Sequence, residues 1–187
     1  MEAILKAIDQ KKLHAHVAAV VSNEPQAPAL KIAKDHGVET IVVPNEKLKR
    51  QEHEKKILEK LKGHSVDFVI LAGYMRILSP YILNEFADSR GFNRVVNIHP
   101  SLLPAFPGMN AYEDAFAYGV KVSGITIHFV DEKVDHGPIL AQESFPRLAN
   151  DSLADFRARG LATEHRLYPE TIQKIAQGDF VIHPFQR

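Results

Sequence analysis

Three side chains in this chain have the types and spacing for acyl chemistry. Asn97 and His99 are separated by one residue in the run Asn-Ile-His-Pro-Ser-Leu-Leu-Pro-Ala-Phe-Pro-Gly that ends at Gly108, and Asp135 opens the turn Asp-His-Gly-Pro. An amide donates a hydrogen bond to a developing oxyanion without titrating, and an imidazole carries a proton near neutral pH. A carboxylate brought beside that imidazole orients it and favours its protonated form. Together the three suit acyl-group transfer. Taken singly each is equivocal: Asn and Asp make turn hydrogen bonds, and His often sits satisfied at a strand end.

The elements around them say how they would be positioned. Val95-Val96 is a buried-strand pattern that delivers Asn97 and His99 to the carboxyl end of a sheet, where open α/β folds bind ligands. Strand alternation points the two side chains the same way. Further β-branched runs at 16–21, 39–43, 67–72, 124–130 and 139–143 alternate with helical patterns at 2–12, 28–36 and 48–61. Ser79-Pro80 reads as a cap followed by proline at the first helical position. Asn110 with Glu113 reads as a capping box for a helix stopping at Gly119. A long amphipathic helix is expected over 152–176, with breaks at Gly160 and Pro169. The layout predicts one domain over residues 1–187, of α/β class, with a doubly wound, mostly parallel sheet.

The start breaks the pattern. Ile4, Leu5 and Ile8 lie at helical spacing, so the chain opens on a helix. The expectation is a fold lacking its first β-strand and the phosphate-binding turn after it. A misplaced start or a truncation accounts for this better than a variant that begins on a helix, and the loss would expose the edges of neighbouring strands.

Composition narrows the function. With 23 Lys plus Arg against 23 Asp plus Glu, no net field draws the chain to nucleic acid or an anionic membrane. The absence of cysteine removes thiolate nucleophiles, disulfides and cysteine-bound zinc. No apolar run reaches the roughly 20 residues that span a bilayer, so a cytoplasmic protein is expected. Glu164-His165 resembles half a metal site, but no second ligand recurs at metal-binding spacing, and no metal is expected. His128 reads as a packing or supporting residue, His136 and His183 as surface residues, and the charges from 47 to 62 as a solvated helix face.

The run from 97 to 108, with Ala-Gly-Tyr-Met-Arg-Ile-Leu-Ser ending at Ser79 before it and His-Phe-Val-Asp-Glu-Lys-Val-Asp-His-Gly-Pro ending at Pro138 after it, resembles the phosphoribosylglycinamide formyltransferase family. The likeness covers essentially the whole chain in order. It implies transfer of a formyl group from 10-formyltetrahydrofolate, a co-substrate, to the amino group of glycinamide ribonucleotide in purine biosynthesis. It would make His99 the catalytic acid and proton shuttle, Asn97 the oxyanion donor and Asp135 the group that raises the pKa of His99. Met75, Arg76, Ile77 and Leu78 would meet the pterin edge largely through backbone groups. Asp131, Glu132, Lys133, Val134 and Asp135 would close the folate pocket from the other side, and Arg50 would contact the folate. Glu164, with Leu161, Ala162 and Thr163 before it, would bind the glycinamide nucleotide. Family members begin with a strand and a glycine-rich turn that cradles the ribonucleotide phosphate, and residues 1–5 resemble the segment directly after that turn. A homodimer is compatible with the resemblance and not fixed by it. Three alternatives are a truncated, inactive folate-binding or assembly protein, a formyltetrahydrofolate deformylase and a methionyl-tRNA formyltransferase. The last two resemble chains with an additional amino-terminal or carboxyl-terminal domain, for which this chain has no room.

Overall fold

The computed structural model describes residues 1–183. Six helices and six strands alternate through it. The helices are α1 (Glu2–Asp9), α2 (Pro28–Asp35), α3 (Arg50–Leu61), α4 (Pro80–Glu85), α5 (Ala111–Tyr118) and α6 (Leu153–Ala176). The strands are β1 (Val20–Ser22), β2 (Thr40–Val42), β3 (Val69–Ile70), β4 (Val95–His99), β5 (Val122–Phe129) and β6 (Ile139–Pro146). The expected α/β layering holds, and every expected strand is present, the early ones shorter and β6 longer than the sequence pattern suggests. The strands form two sheets, β1–β2 and β3–β4–β5–β6. β1 pairs with β2 and β3 with β4 in parallel, whereas β5 and β6 run antiparallel as a hairpin.

Alternation along β4 and β5 explains the layering. Val96 of β4 and Ile125, Ile127 and Phe129 of β5 are fully buried against Ile4 and Ala7 of α1, Ala115 of α5 and Phe156 and Ile172 of α6. Burying side chains of this size contributes about 1.5–3 kcal/mol each. Val95, one residue away, enters the opposite layer with Leu78 and with Ile82 and Leu83 of α4, beside Leu58 of α3. Helices therefore cover both faces.

Local signals mostly hold. Pro80 starts α4 after Ser79, although the Ser79 hydroxyl turns to Glu54 and makes no cap bond; α5 closes on Gly119, and Ser152 and Asp155 form a reciprocal capping box at the start of α6. Two expectations are corrected. Asn110 is the N-cap of α5 but makes no side-chain cap bond, and Glu113 pairs with Arg157 of α6 rather than reaching back to it. α6 is also unbroken at Gly160 and Pro169, since both are buried on its core face and packing there outweighs the one backbone bond that proline forfeits. Gly160 has a positive use, as a Cβ there would lie 2.3 Å from the Tyr112 hydroxyl oxygen. Among the described residues no helix is long and apolar enough to cross a membrane.

Candidate active site

The register places one polar row on one face of the sheet. Asn97 pairs with His128 and His99 with Thr126, so these four side chains share a face while their neighbours fill the apolar core behind it. His99, Thr126 and His128 are 4, 0 and 2 % exposed, which shuts bulk water out from beneath the row.

Asp135 closes the row from above. It sits at φ 50 in the β5–β6 connection, where Gly137 lets the chain fold tightly: a Cβ there would lie 1.8 Å from the Phe129 carbonyl oxygen. Its Oδ2 lies 3.4 Å from His99 Nδ1 and accepts the Gly108 N–H at 2.7 Å, while Oδ1 lies 3.8 Å from His128 Nε2. The expected convergence of Asn97, His99 and Asp135 is therefore present.

Hydrogen-bond partners settle where protons sit. His99 Nε2 is 2.8 Å from the Phe106 carbonyl oxygen, which can only accept, so Nε2 carries a hydrogen. Nδ1 faces the Asp135 carboxylate. His128 Nδ1 is likewise 2.8 Å from the Phe129 carbonyl oxygen and must donate. Burial pushes the His128 pKa below the ordinary histidine value, against its hydrogen bond to Phe129 and the nearby Asp135 charge. A neutral ring with hydrogen on Nδ1 offers a lone pair at Nε2, and Asn97 Nδ2 lies 3.3 Å from it. One amide N–H is thus committed to His128, which leaves the second to donate elsewhere.

The Thr126 hydroxyl helps to pin the loop that holds the Phe106 carbonyl. Thr126 Oγ1 donates to the Ser101 carbonyl and accepts from the Leu103 N–H and from Gln142 Nε2, filling all its hydrogen-bonding capacity. Gln142 also donates to the Leu103 carbonyl.

The remaining expected residues lie on three segments. After β3, Met75 and Ile77 are 66 and 47 % exposed while Leu78 is buried, so Leu78 can meet a ligand only through its backbone. Exposed Arg50 opens α3 and acts electrostatically on Tyr74, whose pKa burial raises. In the 131–135 loop, Asp131 accepts from the Lys133 N–H and bonds His136, and Glu132, Lys133 and Val134 are exposed. On α6, Leu161 and Ala162 are exposed, Thr163 donates to the Arg159 carbonyl, and Glu164 is half-buried and accepts the Tyr112 hydroxyl at 2.7 Å. Burial pushes the Glu164 carboxyl above the ordinary carboxylate range; the Tyr112 hydrogen bond and the charges of His165 and His99 pull the other way.

The expected supporting role of His128 takes the form of a direct contact with Asn97, whereas Tyr112 and Glu54 were not foreseen. Tyr112, buried on α5, has no local signal for its bond to Glu164. Glu54 corrects the expectation of a wholly solvated face, since it and His53 are each 1 % exposed. The signal was helical: His53 and Glu54 lie four residues before Ile57 and Leu58, on the same stripe. Among the described residues, no three His, Cys, Asp or Glu side chains group as metal ligands.

Known proteins resemble this chain in sequence and in fold. The formyl transferase family profile matches residues 1–172. Phosphoribosylglycinamide formyltransferase of Bacillus subtilis (strain 168) is 37% identical over 175 residues, covering 93% of this chain and 87% of that protein. The enzyme of the same name from Escherichia coli (strain K12) is 34% identical over 184 residues, covering 98% and 84%. The crystal structure of glycinamide ribonucleotide transformylase 1 from Symbiobacterium toebii superposes with a TM-score of 0.90 at 42% identity, over 97% of this chain and 84% of that one.

Proposed function

The chain belongs to the formyl transferase family, and from that premise we propose that Asn97, His99 and Asp135 carry its chemistry. The reaction is transfer of a formyl group from 10-formyltetrahydrofolate to the amino group of glycinamide ribonucleotide, a step of purine biosynthesis. The substrate amine attacks the formyl carbon, forming a C–N bond and placing negative charge on the formyl oxygen. The free N–H of Asn97 and the imidazolium of His99 stabilise that charge. Collapse breaks the bond to the folate nitrogen; the proton lost by the amine reaches that nitrogen through His99 Nδ1, Asp135 or a water. The observation that carries this reading is the 3.4 Å approach of Asp135 Oδ2 to His99 Nδ1 on the face that also presents the Asn97 amide.

In the same reading, the backbone of Met75, Arg76, Ile77 and Leu78 meets the pterin, with Arg50 on one side and the 131–135 loop on the other. Leu161, Ala162, Thr163 and Glu164 bind the ribonucleotide. Cytoplasmic residence and a homodimer belong to this reading, and are tested by fractionation and by sedimentation.

The test is steady-state formyl transfer with purified protein. Asn97→Ala and His99→Ala should each lower turnover about 100- to 1000-fold, the usual cost of an oxyanion donor, while tetrahydrofolate binding survives. Unchanged turnover in either variant refutes the assignment. Formate release that needs no glycinamide ribonucleotide would point to a deformylase.

A further inference from the structure

A carboxylate at 1 % exposure on an otherwise highly charged helix needs an explanation. Burying a carboxylate is costly unless hydrogen bonds offset it. Glu54 Oε1 accepts the Ser79 backbone N–H at 2.8 Å, and Oε2 accepts the Ser79 hydroxyl. Ser79 is the residue directly after the 75–78 segment.

That segment has little else to hold it. Met75 and Ile77 project into solvent, Gly73 before them sits at φ +74, and only Leu78 is anchored in the core. Arg50 lies one helical turn before Glu54 on α3, so both face the same way. The charges of Arg76, Glu54 and Arg50 all act on Tyr74, which directly precedes the segment. One turn of α3 therefore carries both an exposed cation and a buried clamp beside the same loop.

We propose that Glu54 is a positioning residue for folate: by gripping Ser79 at two points it holds the backbone of residues 75–78 in the shape that meets the pterin. This rests on the folate-pocket reading above. Affinity gained this way comes from pre-organisation, since the loop is ordered before the ligand arrives.

The experiment compares wild type, Glu54→Ala, Glu54→Gln and Ser79→Ala by steady-state kinetics in both substrates, by calorimetric titration with tetrahydrofolate and by thermal melting. Glu54→Ala should raise KM for 10-formyltetrahydrofolate and Kd for tetrahydrofolate about 5- to 20-fold. The KM for glycinamide ribonucleotide and kcat should stay within about twofold. Glu54→Gln keeps an acceptor for the Ser79 N–H and gains a donor for its hydroxyl, so it should stay within about threefold of wild type. If Glu54→Ala does not fold, Ser79→Ala carries the test and should raise the two folate constants at least about twofold, with the ribonucleotide KM unchanged. Unchanged folate constants, a Gln variant as damaged as Ala, or equal losses in every parameter would each overturn the inference. A wild type that neither binds tetrahydrofolate nor transfers formyl would remove the function reading, and this inference with it. That outcome is distinct from an active wild type with indifferent variants.

Discussion

Replacing His128 by Phe tests whether the Asn97 amide is aimed rather than merely present. The Phe129 carbonyl fixes hydrogen on His128 Nδ1, so Nε2 accepts from Asn97 Nδ2 at 3.3 Å and the amide cannot turn its oxygen that way without two lone pairs meeting. Phe fills the space and removes the acceptor. A hydrogen bond of this kind contributes about 0.5–1.5 kcal/mol net, which converts at about 1.4 kcal/mol per factor of ten to a loss of about 2- to 12-fold in turnover. That is well short of the loss expected for Asn97→Ala. The decisive assay is a double-mutant cycle on kcat for formyl transfer. If His128 acts through Asn97, His128→Phe should cost less than about twofold in the Asn97→Ala background. An undiminished effect in that background would refute the reasoning. Acid sensitivity adds a second readout. Because burial lowers the His128 pKa, the folded state binds this proton less readily than the unfolded chain. The stability involved is complete above the ordinary value of about 6.5 and falls as pH drops through the lowered one. His128→Phe should flatten that acid limb in thermal melts.

Two further outcomes concern α6. Glu164 has a raised pKa, so its cost to stability is absent below the unfolded value of about 4.3 and grows as pH rises through the folded one. Glu164→Gln should therefore melt higher than wild type at pH 8 and equally at pH 4, while its KM for glycinamide ribonucleotide rises; equal melting at both pH values would deny the shift. Gly160→Ala drives a methyl to within 2.3 Å of the Tyr112 hydroxyl oxygen. It should cost about 1–3 kcal/mol in denaturant melts and displace Tyr112 from Glu164, and a neutral result would mean that α6 shifts freely.

The layout of elements was legible because it depends on short-range periodicity. Ile125, Ile127 and Phe129 alternate with small or polar residues, and Pro80 and Gly119 punctuate their helices, whatever the rest of the chain does. Side-chain partners fared worse: α5 starts after Asn110 and closes on Gly119 as the spacing suggests, yet Arg157 of a distant helix takes Glu113. The same holds at the site. Asn97 and His99 were legible as a pair because a strand with period two leaves no choice of side. Asp135 was legible as a candidate only, since its local turn suits an Asx motif equally well.

The sequence by itself determined which side chains the chain owns and which of them share a strand face or a helical stripe. Tertiary structure alone decided which way each one is turned. The Asn97 amide is oriented by a histidine 31 residues away, and Glu54 leaves solvent because Ser79, 25 residues on, supplies two donors. Orientation and burial are set by partners brought near through packing, and a one-dimensional pattern holds no record of such contacts.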